Sequence, residues 1–281
     1  MNEKNNLIGH GFIAPDVILI DEYVLGDAQI DTKIVQDDGQ WVDYAPVFER
    51  QAYEYETAGC ALYNSLQAIE TLQKRKYHTN FDYAERYPYI KLGIKPPGSN
   101  PHTNLEWMRK NGIPPESMLP FNESITTWEE YADVNAITPQ IDEAAKQFLQ
   151  EWKINHDWVF KSEHILKEKQ ERIMEALRYS PVGVSVFGWR ENDSGFYWKY
   201  PNDNDQHWTS CVGYEKGQYW IIADSYEPYI KKLVWDYNFG FAKRYFIERL
   251  SAPAPMYPIT LPPISSKVSF WNKIKQSLCA H

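Results

Sequence analysis

The hydrophobic pattern of this chain changes period partway along, and that change limits what it can fold into. Ala58, Leu62, Leu66, Ile69 and Leu72 recur at helical spacing over 58–74, which makes one apolar stripe on a helix face. After Pro181 the spacing becomes two: Val182, Val184 and Val186 alternate with Gly183 and Ser185, the pattern of a half-buried strand. Cys211–Tyr214, Tyr219–Ile222 and Arg244–Ile247 read as further short strands, and Gly217 as the turn of a hairpin between two of them. Before Pro181 the expected elements are helical: Thr103–Asn111, ended by Gly112, then 140–152 and 163–179. Residues 94–101 carry Pro96, Pro97 and Gly98 and read as a loop. A mainly helical half followed by a mainly β half is an α+β arrangement. A site shared by both halves would lie in the cleft between them.

Length and charge narrow the class. The chain has 281 residues, 43% of them hydrophobic, enough for one large domain or two half-domains around a real core. The formal net charge is −9, so phosphate backbones and anionic lipid are repelled, and neither nucleic acid nor a membrane is the expected partner. Cysteine occurs at 60, 211 and 279 only, too few and too odd a number for a disulfide framework. The N-terminal residues show no continuous apolar signal segment, and no stretch approaches a membrane span. The expected location is the cytoplasm, or a virion if the chain is phage-encoded. Residues 1–40 read as an irregular arm with one strand at Val17–Ile20. From Ser251 onward, Pro253, Pro255, Pro258, Pro262 and Pro263 forbid helix, and Val268, Trp271, Ile274 and Leu278 then mark a short amphipathic helix. Residues 251–281 are therefore a tail that docks on its own domain or on a partner.

The chemistry concentrates at three residues. Cys60 opens the 58–74 helix directly after Gly59. A thiol in the first helical turn faces unpaired N–H groups that favour a thiolate, and its own N–H sits where an acyl oxyanion would form. The bland alternative is a small buried hydrophobe. His207 follows the polar run 202–206 and enters a strand, while Asp224 ends the neighbouring strand. Adjacent antiparallel strands can place imidazole and carboxylate side by side, which fixes the tautomer and supports the imidazolium.

These motifs resemble the papain-like cysteine peptidase family, as a divergent phage- or bacterium-encoded member. Tyr219–Ser225 (YWIIADS) resembles the family's strand that carries the third catalytic residue, with Asp224 in the place of Asn. His207–Tyr214 resembles its His strand and Pro181–Val186 its proline–valine strand. Gly98, Ser99 and Asn100 resemble its glycine-rich wall, and Asn111-Gly112-Ile113, Glu116 and Pro120-Phe121 match its left-half stretch. The Cys-to-His separation also falls in that family's range of roughly 130–150 positions.

The resemblance implies a two-lobed domain over 41–250. Its helical lobe would span about 41–160 and its β lobe about 161–250. It implies a protein or peptide substrate attacked by Cys60, with His207 as acid and base and Asp224 orienting the ring. Gln51 would help hold the oxyanion. Gly59, Gly98, Ser99, Asn100 and Tyr226 would line the substrate cleft, with Tyr226 in the place of the family's shielding Trp. No metal and no organic cofactor is implied. Ala61 replaces the Trp that follows the family's Cys, and Gln51 stands further upstream than the family places its Gln. The family's disulfides and its long helical pro-region are also missing. Two other readings use the same residues: an acyl-transferase or amidase of transglutaminase or peptidoglycan type, and a catalytically silent papain-fold binding or structural protein.

Overall fold

The computed structural model describes residues 11–15, 33–46, 48–52, 54–160 and 164–250. The expected strand Val17–Ile20 and the whole tail 251–281, with its helix, lie outside the described residues. Six helices run α1 Cys60–Tyr77, α2 Arg86–Leu92, α3 Pro101–Asn111, α4 Trp128–Tyr131, α5 Pro139–Glu151 and α6 Leu166–Ala176. Six strands follow the order β1 Trp152–Trp158, β2 Val182–Val186, β3 His207–Glu215, β4 Tyr219–Ala223, β5 Ile230–Val234 and β6 Ala242–Arg249. They form one antiparallel sheet, β1-β6-β2-β3-β4-β5. This is the expected α+β class.

Helix α1 is the central post. It is buried from Cys60 through Gln73 and packs on β3 and β6 of the sheet. Its apolar stripe alone does not explain that depth, because Asn64, Ser65, Gln67, Glu70, Thr71 and Gln73 are buried too. Several find partners across the core: Asn64 Nδ2 donates to Trp208 O at 2.7 Å, and Gln73 Nε2 to Tyr83 OH at 2.8 Å. Buried polar groups that are satisfied in this way cost little and fix one register of helix against sheet. Lys74, Arg75 and Lys76 close the last turn, where cations complement the helix dipole.

The β3–β4 hairpin turns at Gly217, whose φ is +81°, as its sequence led one to expect. Ser210 pairs with Ala223 and Cys211 with Ile222, with an irregularity before Gly213. This register brings the start of β3 and the end of β4 to the same edge.

Four elements lie outside the sequence expectation: β1, β5, α2 and the short α4. In β1, the polar run Asn155-His156-Asp157 hid a strand between the expected helices 140–152 and 163–179. Asp157 is buried because Arg244, its register partner on β6, grips it through two bonds at 3.0 and 2.6 Å. In β5, Lys231 and Lys232 break the apolar pattern. In α2, Pro88 reads as a breaker, yet it falls in the first turn, where no N–H is missed.

Gly112 ends α3 with φ +78°, and a Cβ there would lie 1.8 Å from Ala145 O of α5. Gly112→Ala is therefore expected to push α3 from α5 and to destabilise the chain by about 2–4 kcal/mol. The corresponding fall in Tm, measured by calorimetry, is roughly 5–12 °C; an unchanged Tm would contradict the contact.

Candidate active site

The loop before α1 is built to present Cys60. Thr57 Oγ1 donates to Gln51 O at 2.9 Å and accepts from Gly59 N at 3.1 Å. Ala58 takes φ +56°, an uncommon backbone for a residue with a Cβ, and its N–H is tied to Glu56 Oε1 at 2.7 Å. Gly59 is the N-cap and has no side chain to cover the helix start. Cys60 is thus the first helical residue, and no acidic group lies in its turn to compete with a thiolate. The Trp208 N–H points at its sulfur at 3.4 Å.

His207 begins β3 and pairs with Val186 of β2. Its Nε2 is 2.6 Å from Asp224 Oδ1. Its other ring nitrogen, Nδ1, is buried, and the Cys60 side chain lies close enough to the ring to act on it by hydrogen bond and by charge. Burial works against a charged ring, but the negative charges of Asp224 and Cys60 outweigh it and raise the imidazole to about 10. Trp189 stands edge-on to the ring at 5.5 Å and Tyr226 lies tilted at 5.4 Å between centroids. The sequence reading assigned Tyr226 to this place and missed Trp189.

Sequence reasoning also missed the counter-ion. Lys231 Nζ reaches Asp224 Oδ2 at 2.7 Å, and the carbonyls of Tyr226 and Pro228 at 2.6 Å each. Both side chains are almost fully buried. Burial alone would raise the Asp224 carboxyl, but His207 and Lys231 together hold it below its ordinary value. A carboxylate in place of a neutral amide is therefore balanced by a lysine on the next strand. The signal was present in the sequence only as a charged residue in an otherwise strand-like run.

Gln51 is buried beneath Tyr226. Its Nε2 donates to Glu56 Oε1 at 2.9 Å and to Tyr226 OH at 2.8 Å, and its Oε1 accepts from Ser225 Oγ at 2.5 Å. Both amide hydrogens are thus engaged by Glu56 and Tyr226. Glu56, which the sequence reading did not single out, also accepts from the Tyr226 hydroxyl, and burial raises its carboxyl. Asn64, likewise unforeseen, donates to Cys60 O at 3.1 Å, Trp208 O at 2.7 Å and Ser225 Oγ at 3.1 Å. It ties the thiol helix to both strands.

Of the expected cleft residues, Gly98 and Ser99 meet the chain's own arm. Ser99 N donates to Gly11 O at 3.0 Å and Ile13 N to Ser99 O at 3.0 Å, while Gly11 N and Phe12 N both donate to Gln206 O at 3.1 Å. A Cβ on Gly98 would strike Gly11 O, and a Cβ on Gly11 would lie 2.6 Å from Cys60 Sγ. Phe12 is buried, stacked on Trp208 at 5.3 Å and tilted against Phe241 at 5.9 Å. With the arm in place, Cys60 and His207 are 0% exposed. Asn100 instead caps α3, accepting from His102 N at 2.8 Å.

No family model and no curated protein matches the chain by sequence. Solved structures do match it. Xylellain, a cysteine protease from Xylella fastidiosa, aligns with TM-score 0.59 over 88% of this chain and 97% of that one, at 16% identity. The chain has the papain-like fold. Digestive procathepsin L 3 of the Tenebrio molitor larval midgut shares this papain-like fold with TM-score 0.55 and 15% identity, over 87% of this chain and 79% of that one. The bromelain protease from Ananas comosus, in complex with the E64 inhibitor, does so with TM-score 0.53 and 16% identity, over 73% and 96%. Among the described residues no helix is long and apolar enough to cross a membrane.

Proposed function

We propose that this chain is a cysteine peptidase that hydrolyses peptide bonds through a thioester on Cys60. One observation carries the reading. A buried imidazole is bonded to Asp224 through Nε2, and Cys60 acts on the same ring by charge and by hydrogen bond in favour of its proton. In that arrangement the Cys60 thiolate attacks the carbonyl carbon, and the carbonyl π pair moves onto oxygen. The Cys60 N–H, in the unpaired first turn, donates to that oxyanion. As the tetrahedral intermediate collapses, the C–N bond breaks and His207 gives its proton to the leaving amine. Water then attacks the thioester carbon and gives a proton to His207; the C–S bond breaks, the carboxylic acid is released, and the Cys60 thiolate and protonated His207 are restored. Gln51 joins the oxyanion site only if its amide leaves Glu56 or Tyr226. Asp224 orients the ring.

In this reading Phe12 marks a pocket of Trp158, Trp208 and Phe241 that accepts an aromatic or large aliphatic substrate side chain, and the arm must leave before substrate enters. The test is intact-mass spectrometry of Gly11→Leu after brief exposure to an activated ester of an N-acyl phenylalanine dipeptide. An acyl adduct on Cys60 that decays with release of the acid supports the reading. No adduct on Cys60 sinks it.

The arm variant carries its own expectation. Leucine at 11 would collide with Cys60 Sγ and Ala58 O, so the arm would lose its seat. Seating Phe12 in its pocket contributes about 1.5–3 kcal/mol of apolar burial. Alkylation of Cys60 by iodoacetamide is therefore expected to be about 10–100-fold faster in Gly11→Leu than in the parent chain. Equal rates would mean that the arm does not govern access.

A further inference from the structure

A second cluster, independent of the thiol chemistry, lies beside α1. Carboxylate oxygens of Glu49, Glu85 and Glu116 fall within 4.8 Å of one another. A small cavity beside them is lined by Glu49, Tyr63, Gln67, Glu70, Glu85 and Ser225. Glu85 and Glu70 are only 3% and 4% exposed. Some of the oxygens have donors: Glu116 Oε1 accepts from Phe121 N at 2.7 Å and Glu70 Oε1 from Tyr83 N at 2.8 Å. Glu49 Oε2 and Glu116 Oε2 do not, and both are buried. A different kind of group shares the problem. Gln67, 7% exposed and in the wall of the same cavity, also has a buried Oε1 with no partner.

The cluster is therefore rich in acceptors and short of donors. Asp82 adds a further carboxyl beside Glu49. Arg86 is near enough to Glu116 to act on its charge, but it points its guanidinium at the carbonyls of Tyr131 and Glu130, at 2.8 and 2.5 Å. Left without a cation, such a group must take up protons. Buried acceptors without a donor or a cation to meet them are destabilising.

We propose that Glu49, Glu85 and Glu116, together with Gln67 Oε1, form a binding site for one calcium ion. Hard cations take oxygen ligands, and the absence of His and Cys from the set disfavours zinc. The cluster's oxygens fall within 4.8 Å of one another, inside the reach of calcium–oxygen bonds of about 2.3–2.6 Å. Calcium accepts an irregular cage of protein oxygens, whereas magnesium demands near-ideal octahedral geometry and keeps several waters. The ion would join four separate pieces of chain: the approach to Cys60 through Glu49, α1 through Gln67, the N-cap of α2 through Glu85, and the turn Glu116–Met118.

The experiment uses the full chain, stripped with EDTA and dialysed near neutral pH, with Tm followed against calcium chloride and, separately, magnesium chloride. Terbium serves as a second probe, since Tyr63 in the cavity wall can sensitise its luminescence. Expected are one bound equivalent, a saturable rise in Tm of roughly 5–10 °C at a hundredfold excess over Kd, a smaller rise with magnesium, and loss of both signals in Glu85→Gln. Glu116→Gln, at a less buried position, carries the same test if Glu85→Gln does not fold. Two results would overturn the proposal. One is a calcium effect that survives in these variants. The other is no calcium or terbium response with a raised Tm in Glu85→Gln or Glu116→Gln, since the cluster would then be holding protons.

Discussion

Replacing His207 by Ala is expected to slow peptide hydrolysis by about 10³-fold or more, with little change in KM. In the proposed mechanism the ring supplies the proton to the leaving amine, and general acid–base groups of this kind are worth roughly 10²–10⁴-fold. Cys60→Ala should abolish the acyl adduct altogether. Cys211 provides the internal control: it is fully buried, and burial pushes its thiol up to about 12, so it should stay unmodified while Cys60 reacts. The comparison is made in the Gly11→Leu background, where the arm does not mask the rates. Equal alkylation of Cys60 with and without His207 would leave a papain-like fold without a working dyad.

The pH dependence follows from the two shifts. The His207 ring is raised from 6.5 to about 10, so its stabilisation is fully present below the unfolded value and is lost as pH rises toward 10. The Asp224 carboxyl is lowered from 3.8, so its contribution is present above that value and is lost as pH falls through the lower folded one. The pair is intact across neutral pH. Hydrolysis, which needs the ring proton, should decline on the alkaline side as pH nears 10. In Asp224→Asn the negative charge is gone, burial prevails, and the decline should begin at lower pH.

Lys231→Met is expected to destabilise the chain by about 3–5 kcal/mol, because it leaves Asp224 Oδ2 without its cation in a site closed to water, with only His207 and the Ser225 N–H on Oδ1. The carbonyls of Tyr226 and Pro228 lose their donor in the same step. Removing both charges should hurt less: Lys231→Met with Asp224→Asn puts a neutral amide beside His207 and is expected to recover at least half of the loss. A double-mutant cycle on denaturant midpoints measures this coupling. Strict additivity of the two substitutions would show that Lys231 and Asp224 do not depend on each other.

Much of the architecture was legible in the sequence because it is periodic. The stripe Ala58–Leu72 specified α1, the alternation at Val182–Val186 specified β2, and Gly217 and Gly112 marked turns that demand positive φ. Cys60, His207 and Asp224 could be picked out because each sits at the end of such an element, where the backbone holds a side chain in a fixed place.

The rest depended on contacts between residues far apart in the chain. β1 hides its strand character behind Asp157, which is tolerable inside only because Arg244 lies opposite. Lys231 looks like a surface charge until β5 lands beside β4 and turns it onto Asp224. Gln51 could be named, but only packing decided that Glu56 and Tyr226 would hold its amide. That Gly11 rests against the Cys60 sulfur, or that Glu49, Glu85 and Glu116 meet, has no local signature at all. Sequence period specifies which face of an element is buried; it carries no record of which distant charge or backbone segment will be packed against that face.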